Sequence, residues 1–133
     1  MSITIDYLNC SVAEKISEIR AGLSADEVDN LISQFQLDPI DLASMLGLNS
    51  RALLKVVKRK SKLDPDISER LLRLVRVGQH TSEIFGDSVS AGRWLTHPHT
   101  SLDQATPLSM LDTAYGEQLV ERVLCSIEHG LPI

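Results

Sequence analysis

The stretch from Thr106 to Ile133, TPLSMLDTAYGEQLVERVLCSIEHGLPI, constrains the fold more than any other part of the chain. Thr106 offers a hydroxyl to an orphan backbone N–H, and Pro107 at the first helical position gives up no hydrogen bond, so a short helix starts there. Thr113 supplies a second cap. Beyond it Val120, Val123, Leu124 and Ile127 recur at the i, i+3, i+4, i+7 spacing of a helix lying on a core, with Glu117, Gln118, Glu121, Arg122 and Glu128 on the other face. Gly130 ends this helix, because glycine takes the left-handed C′ conformation without a Cβ clash, and Leu131-Pro132 blocks continuation. By local physics Leu131 folds back onto the helix end as the apolar partner of a Schellman cap.

The same order of cap, apolar stripe and stop recurs upstream. Ser11-Val-Ala-Glu14 reads as a capping box, opening a helix with Val12, Ile16 and Ile19 on one stripe and Gly22 at its end. Ser24-Ala-Asp-Glu27 repeats the device ahead of Val28, Leu31, Ile32 and Phe35. Asp38-Pro39 starts a further helix, and Ala43, Gly47, Leu48, Leu53 and Val56 fall where a helix-turn-helix needs a small crossing residue, a turn glycine and apolar residues holding its second helix. Ser50 is read as the cap of that second helix. Asp64 or Ser68 opens a long helix in which Ile67, Leu71, Leu74, Val75 and Gly78 face one way and Arg70, Arg73 and Arg76 another. Asp87 or Ser88 opens a short one ending at Trp94-Leu95. Ile3, Ile5 and Tyr7 alternate with polar residues, as in a short strand, an arm or a loosely docked terminus. The expected fold is all-α, divided at Leu63-Asp64-Pro65 into residues 1–63 and 64–133.

At 133 residues and 43% hydrophobic content, the chain suffices for one compact domain or two very small ones sharing a core. The net charge of −5 argues against indiscriminate coating of nucleic acid, but charge is unevenly spread. Residues 51–76 hold nine Lys/Arg against Asp64, Asp66 and Glu69. Arg51, Lys55, Lys58 and Lys62, with Arg59 beside them, form a basic stripe suited to phosphate, which gives affinity but specifies no base. Base reading is expected at the N-terminal turn, from Arg51 with Asn49 and Ser50. Val56 and Val57 depart from the polar character of such a helix: one must face the core, and exposure of the other would count against base readout.

No apolar run approaches the ~20 residues that span a bilayer, and MSITIDYLNC lacks the basic n-region of a signal peptide, so a cytoplasmic protein is expected. Cys10 and Cys125 fit no metal spacing and read as reduced thiols on packed helices. His97-Pro98-His99, with only His80 and His129 elsewhere, does not make a metal site. There is no phosphate-cradling glycine loop, nucleophile elbow or marked acid/base pair, so no catalytic residue, no cofactor and no enzyme are expected.

Trp94-Leu95, Pro98, Leu102, Pro107-Leu108, Leu111, Thr113, Gly116, Val120, Leu124, Ile127 and Gly130 together resemble the toxin-binding domain of the Xre/MbcA/ParS family of antitoxins. The helix-turn-helix pattern resembles the Xre type, and SERLLRLVRVGQHTSEIFG resembles the family's linking helix. His99 stands where asparagine is more usual, and Asp103-Gln104 where glycines are. The resemblance implies an antitoxin against a RES-domain toxin, a protein acting on NAD, whose active-site cleft the C-terminal region covers. The residues implied are Glu128, His129, Gly130, Leu131, Pro132 and Ile133; beyond the resemblance, our own expectation is that the carboxylate of Ile133 meets basic groups that would otherwise hold NAD phosphates. Trp94 is expected to anchor the C-terminal core, with the toxin surface as its other possible place. Operator DNA and a homodimer complete the implied partners. The alternative is a stand-alone helix-turn-helix regulator whose C-terminal helices dimerise it.

Overall fold

The computed structural model describes residues 9–132, so the Ile3–Tyr7 segment and Ile133 lie outside the described residues. The helices are α1 (Val12–Ala21), α2 (Asp26–Phe35), α3 (Pro39–Leu46), α4 (Ser50–Arg59), α5 (Pro65–Phe85), α6 (Ser88–Leu95), α7 (Pro107–Met110) and α8 (Ala114–Glu128), with a 3-10 turn at Thr100–Leu102. Among the described residues there is no strand; Ser24 bridges Lys62 and His99 bridges Ala105. The fold is all-α, as its periodicities require.

Most helices begin where the sequence caps them. Ser11, Asp38, Asp64, Asp87, Thr106 and Thr113 each accept a backbone N–H of their first turn. Two expected caps are different. Asn49, not Ser50, caps α4, accepting the Ala52 N–H at 2.8 Å. The Ser24–Glu27 box does not close: Ser24 Oγ accepts from Asp26, and Glu27 is turned inward, 1% exposed, accepting from Asn30 Nδ2 at 3.1 Å. Ser68, the alternative cap of α5, is buried and instead accepts the Leu23 N–H at 2.9 Å, stitching the α1–α2 link to α5.

One apolar core runs through the molecule. Val28, Leu31 and Phe35 of α2, Leu42, Ala43, Met45 and Leu46 of α3, and Leu53 of α4 meet Leu71, Leu72, Leu74, Val75 and Val77 of α5. The same cluster continues through Ala91, Leu95, Leu102, Leu108 and Leu111 to Val120, Val123 and Leu124 of α8. α5 is its axis, packing against α1, α2, α3, α6 and α8. The apolar stripe of α1 is the exception. Val12 is 72% exposed and Ile16 also faces solvent, because α1 meets the core only through Ile19 near its last turn.

The arginines of α5 are structural. Arg73 is buried and donates to the Leu111 carbonyl at 3.2 Å. Arg76 makes a two-point pair with Glu117, at 2.8 and 2.9 Å. Arg70 reaches over Gly47 in the α3–α4 turn. Arg73 and Arg76 therefore tie α5 to the elements that follow it. Cys125, expected on a packed face, is exposed.

Candidate functional site

Two surfaces gather the candidate residues. The first is α4, second helix of the helix-turn-helix. Its apolar side is seated by Leu53, with Val56 and Val57 both partly buried against the core, so neither valine is left bare on the outer face. Arg51, Lys55, Lys58 and Arg59 are exposed, as are Asn49 and Ser50 at the N-terminus. Lys60 ends the helix in a left-handed conformation at φ +51°, so Lys62 does not continue the stripe; it lies beyond the helix, exposed, in the bridge to Ser24. Sequence periodicity missed Leu54. It sits three residues after Arg51 and four before Lys58, and it is 60% exposed. A helical projection would have placed it at the margin of the basic face.

The second surface is the end of α8. The Gly130 N–H donates to Ile127 and the Leu131 N–H to Ser126, at 3.2 and 2.8 Å, with Gly130 at φ +66°. These are the two bonds of a Schellman motif, and they fix the direction in which the chain leaves the helix. The apolar residue that follows them is not buried by the cap: Leu131 is 57% exposed, and Pro132 is exposed beside it. Glu128 and His129 are exposed as well. Ile133 lies outside the described residues. Next to the tail is an open groove of about 340 Å³, lined by Ser101, Leu119, Arg122, Val123, Ser126 and Pro132.

A polar seam fixes α8 to α5. His80 Nδ1 lies 2.6 Å from Glu121 and Nε2 lies 3.3 Å from Glu128. Burial alone would lower the imidazole pKa, but hydrogen bonds and charge from the two glutamates outweigh it and raise it above 6.5. His80 carries this contact although it follows no sequence motif. The legible signal was spacing: Arg76 and His80 stand one turn apart on α5, and Glu117 and Glu121 one turn apart on α8.

Trp94 is half-buried at the edge of the core, its ring 6.0 Å from Phe85 and 5.0 Å from His99. His99 Nε2 donates to the Trp94 carbonyl at 3.0 Å, locking the turn that follows α6. Asp103 and Gln104, at the positions where the resemblance implies glycine, adopt φ of +53° and +67°. Among the described residues no group of three or more His, Cys, Asp or Glu is placed to hold a metal ion.

Residues 14–76 match the antitoxin Xre-like helix-turn-helix domain, and residues 81–130 match the antitoxin Xre/MbcA/ParS C-terminal toxin-binding domain. An Antitoxin Xre from Photorhabdus laumondii subsp. laumondii is 32% identical over 129 residues, covering 96% of this chain and 87% of the relative. The chain belongs to the Xre antitoxin family. A Prs ADP-ribosylating antitoxin from Sphingobium sp. is 26% identical over 129 residues, covering 90% of this chain and 81% of its own. The fold is similar to that of a chain in the M. tuberculosis MbcT-MbcA toxin-antitoxin complex, with a TM-score of 0.60 at 15% identity, over 82% of this chain and 96% of that one. In this Xre antitoxin the toxin-binding match opens on α5 just after His80 and closes at Gly130, so the α5–α8 seam joins its two ends.

No helix among the described residues is long and apolar enough to cross a membrane.

Proposed function

We propose that this antitoxin neutralises a RES-domain, NAD-consuming toxin by covering its active-site cleft with the segment Glu128, His129, Gly130, Leu131, Pro132 and Ile133, with Trp94 as a further toxin contact. The observation that carries this reading is Leu131. A Schellman cap normally folds its following apolar residue back onto the helix; here the cap is complete, yet the leucine stays 57% exposed on a backbone held in one direction. An apolar side chain presented this way is available to a cleft at little ordering cost. The name of the Sphingobium relative carries ADP-ribosylation, chemistry that consumes NAD, which supports the choice of toxin class.

The same reading assigns operator binding to α4, through Asn49, Ser50 and Arg51 at the base edges and Lys55, Lys58 and Arg59 on phosphates, with Lys62, just beyond the helix, as a further phosphate contact. Four exposed cations on one short helix of a net-acidic protein support it. The division of labour falls at Leu63–Asp64, with residues 1–63 on the operator and 64–133 on the toxin. Binding two half-sites calls for a homodimer in the cytoplasm.

The test is NAD loss catalysed by the toxin encoded beside this gene, with the antitoxin added at rising ratios. Full suppression at a defined stoichiometry by the intact chain, and none by a chain truncated after Gly130 that melts normally, is the expected result. An equally inhibitory truncated chain overturns the plug. Absence of both suppression and a complex overturns the toxin pairing and leaves a helix-turn-helix regulator whose C-terminal helices dimerise it.

A further inference from the structure

We infer that Leu54 is a base-reading residue of the operator contact, packing on the C5-methyl of a thymine in the major groove; the inference rests on the assignment of α4 to DNA made above. α4 sorts its apolar residues cleanly. Leu53 is buried and Ala52, Val56 and Val57 are partly so, while Leu54 is 60% exposed. An exposed leucine by itself calls for no explanation. This one shares the outward side of the helix with Arg51 and Lys58, one turn from each, and stands in the first half of α4 close to the Asn49 cap. That is the part of a recognition helix that comes nearest base edges when its N-terminus enters the groove.

The chemistry of the neighbours leaves a specific vacancy in readout. Lys55, Lys58 and Arg59 can satisfy phosphates, contacts that fix register but carry no sequence information. Arg51 can pair with the acceptors of guanine. Leu54 has no hydrogen-bonding group, so it gains nothing from a phosphate or from the polar edge of a base. The thymine methyl is the one apolar group that the major-groove edge presents among the four bases, and a leucine covering it removes both from water. Leu54 therefore supplies discrimination for thymine that none of the cations beside it can provide.

The test uses the full chain and the duplex upstream of its gene, in the presence and absence of the neighbouring toxin. Footprinting locates the contacted bases, and each thymine within them is then replaced singly by 2′-deoxyuridine, which removes only the methyl. The expected result is a loss of roughly fourfold in affinity at one thymine of each half-site, the factor associated with burying one methyl group. Leu54→Ala should bind the thymine and deoxyuridine duplexes equally while keeping its salt dependence. Wild-type binding that is indifferent to every replacement overturns the inference and leaves the DNA assignment standing. So does a Leu54→Ala protein that keeps the full thymine preference. Failure of the intact chain to bind the duplex under either condition overturns the DNA assignment itself, and this inference with it. The deoxyuridine series needs no variant, so it reads the same whether or not Leu54→Ala folds.

Discussion

The carbonyl oxygen of Phe35, at the end of α2, occupies the place where a side chain on Gly92 of α6 would begin. The two helices thus meet backbone to backbone, and Gly78 of α5 makes room for the Phe35 ring on its other side. Even a methyl group at position 92 has to push α2 and α6 apart. Gly92→Ala should therefore destabilise the fold by about 3 kcal/mol, the upper end of what overpacking costs, measured as a shift in urea midpoint at constant slope. A change under about 0.5 kcal/mol would mean that the contact gives way freely.

The exposed Leu131 gives the sharpest separation of folding from inhibition. Leu131→Asp should melt within about 0.5 kcal/mol of wild type, as expected for a surface position. Its inhibition of the toxin should weaken at least about tenfold, the loss expected at a desolvated apolar anchor. Unchanged inhibition would remove Leu131 from the contact.

His80 makes stability depend on pH. Its folded pKa is raised, so the bonds to Glu121 and Glu128 contribute fully below the unfolded value of 6.5 and are lost as pH rises through the folded one. The wild-type urea midpoint should fall as pH rises above the unfolded value of 6.5, and His80→Gln should flatten that fall. Equal slopes for both proteins would show that the imidazole is already neutral in the seam.

Glu27 acts in the same direction from the other end of the core. Burial raises its carboxyl pKa above 4.5; the Asn30 hydrogen bond lowers it in part, and Asp26 adds to the rise. Its folded pKa exceeds its unfolded one, so stability is lost as pH climbs through it. Glu27→Gln should be more stable than wild type at neutral pH, with the difference shrinking as pH falls below the unfolded value of 4.5. A less stable variant at neutral pH would show that the charge is compensated.

On α4, alanine at Lys55 or Lys58 should lower affinity for operator and fragments of unrelated sequence alike. Each substitution should reduce the slope of log affinity against log salt by about 0.9, the contribution of one phosphate contact. A loss confined to the operator would instead place that lysine on a base.

The elements themselves were open to reading in advance because their causes are local. A cap bonds two or three residues ahead, an apolar stripe repeats every three or four, and Pro107 or Gly130 acts on its own turn. The helix-turn-helix residues and the α8 stripe were legible for that reason. Local rules failed where alternatives were equal in kind. Asn49 and Ser50 are both good caps, and Glu27 was assigned to a capping box although its place in the helix turned it into the core.

Which polar groups are spent inside the molecule and which stay free was decided by tertiary structure alone. Arg73 and Arg76 belong in sequence to the basic window 51–76, yet they are engaged by Leu111 and Glu117, residues 38 and 41 positions away, and His80 by Glu121 and Glu128 at 41 and 48. Local rules alone would fold Leu131 back onto its own cap, yet it is 57% exposed. The sequence by itself determined the helices, their order and the basic character of α4, because hydrogen bonds within a turn and hydrophobic periodicity act over a few residues. The outward faces were settled only when α5 collected its partners, because burial depends on neighbours that the chain brings together from far apart.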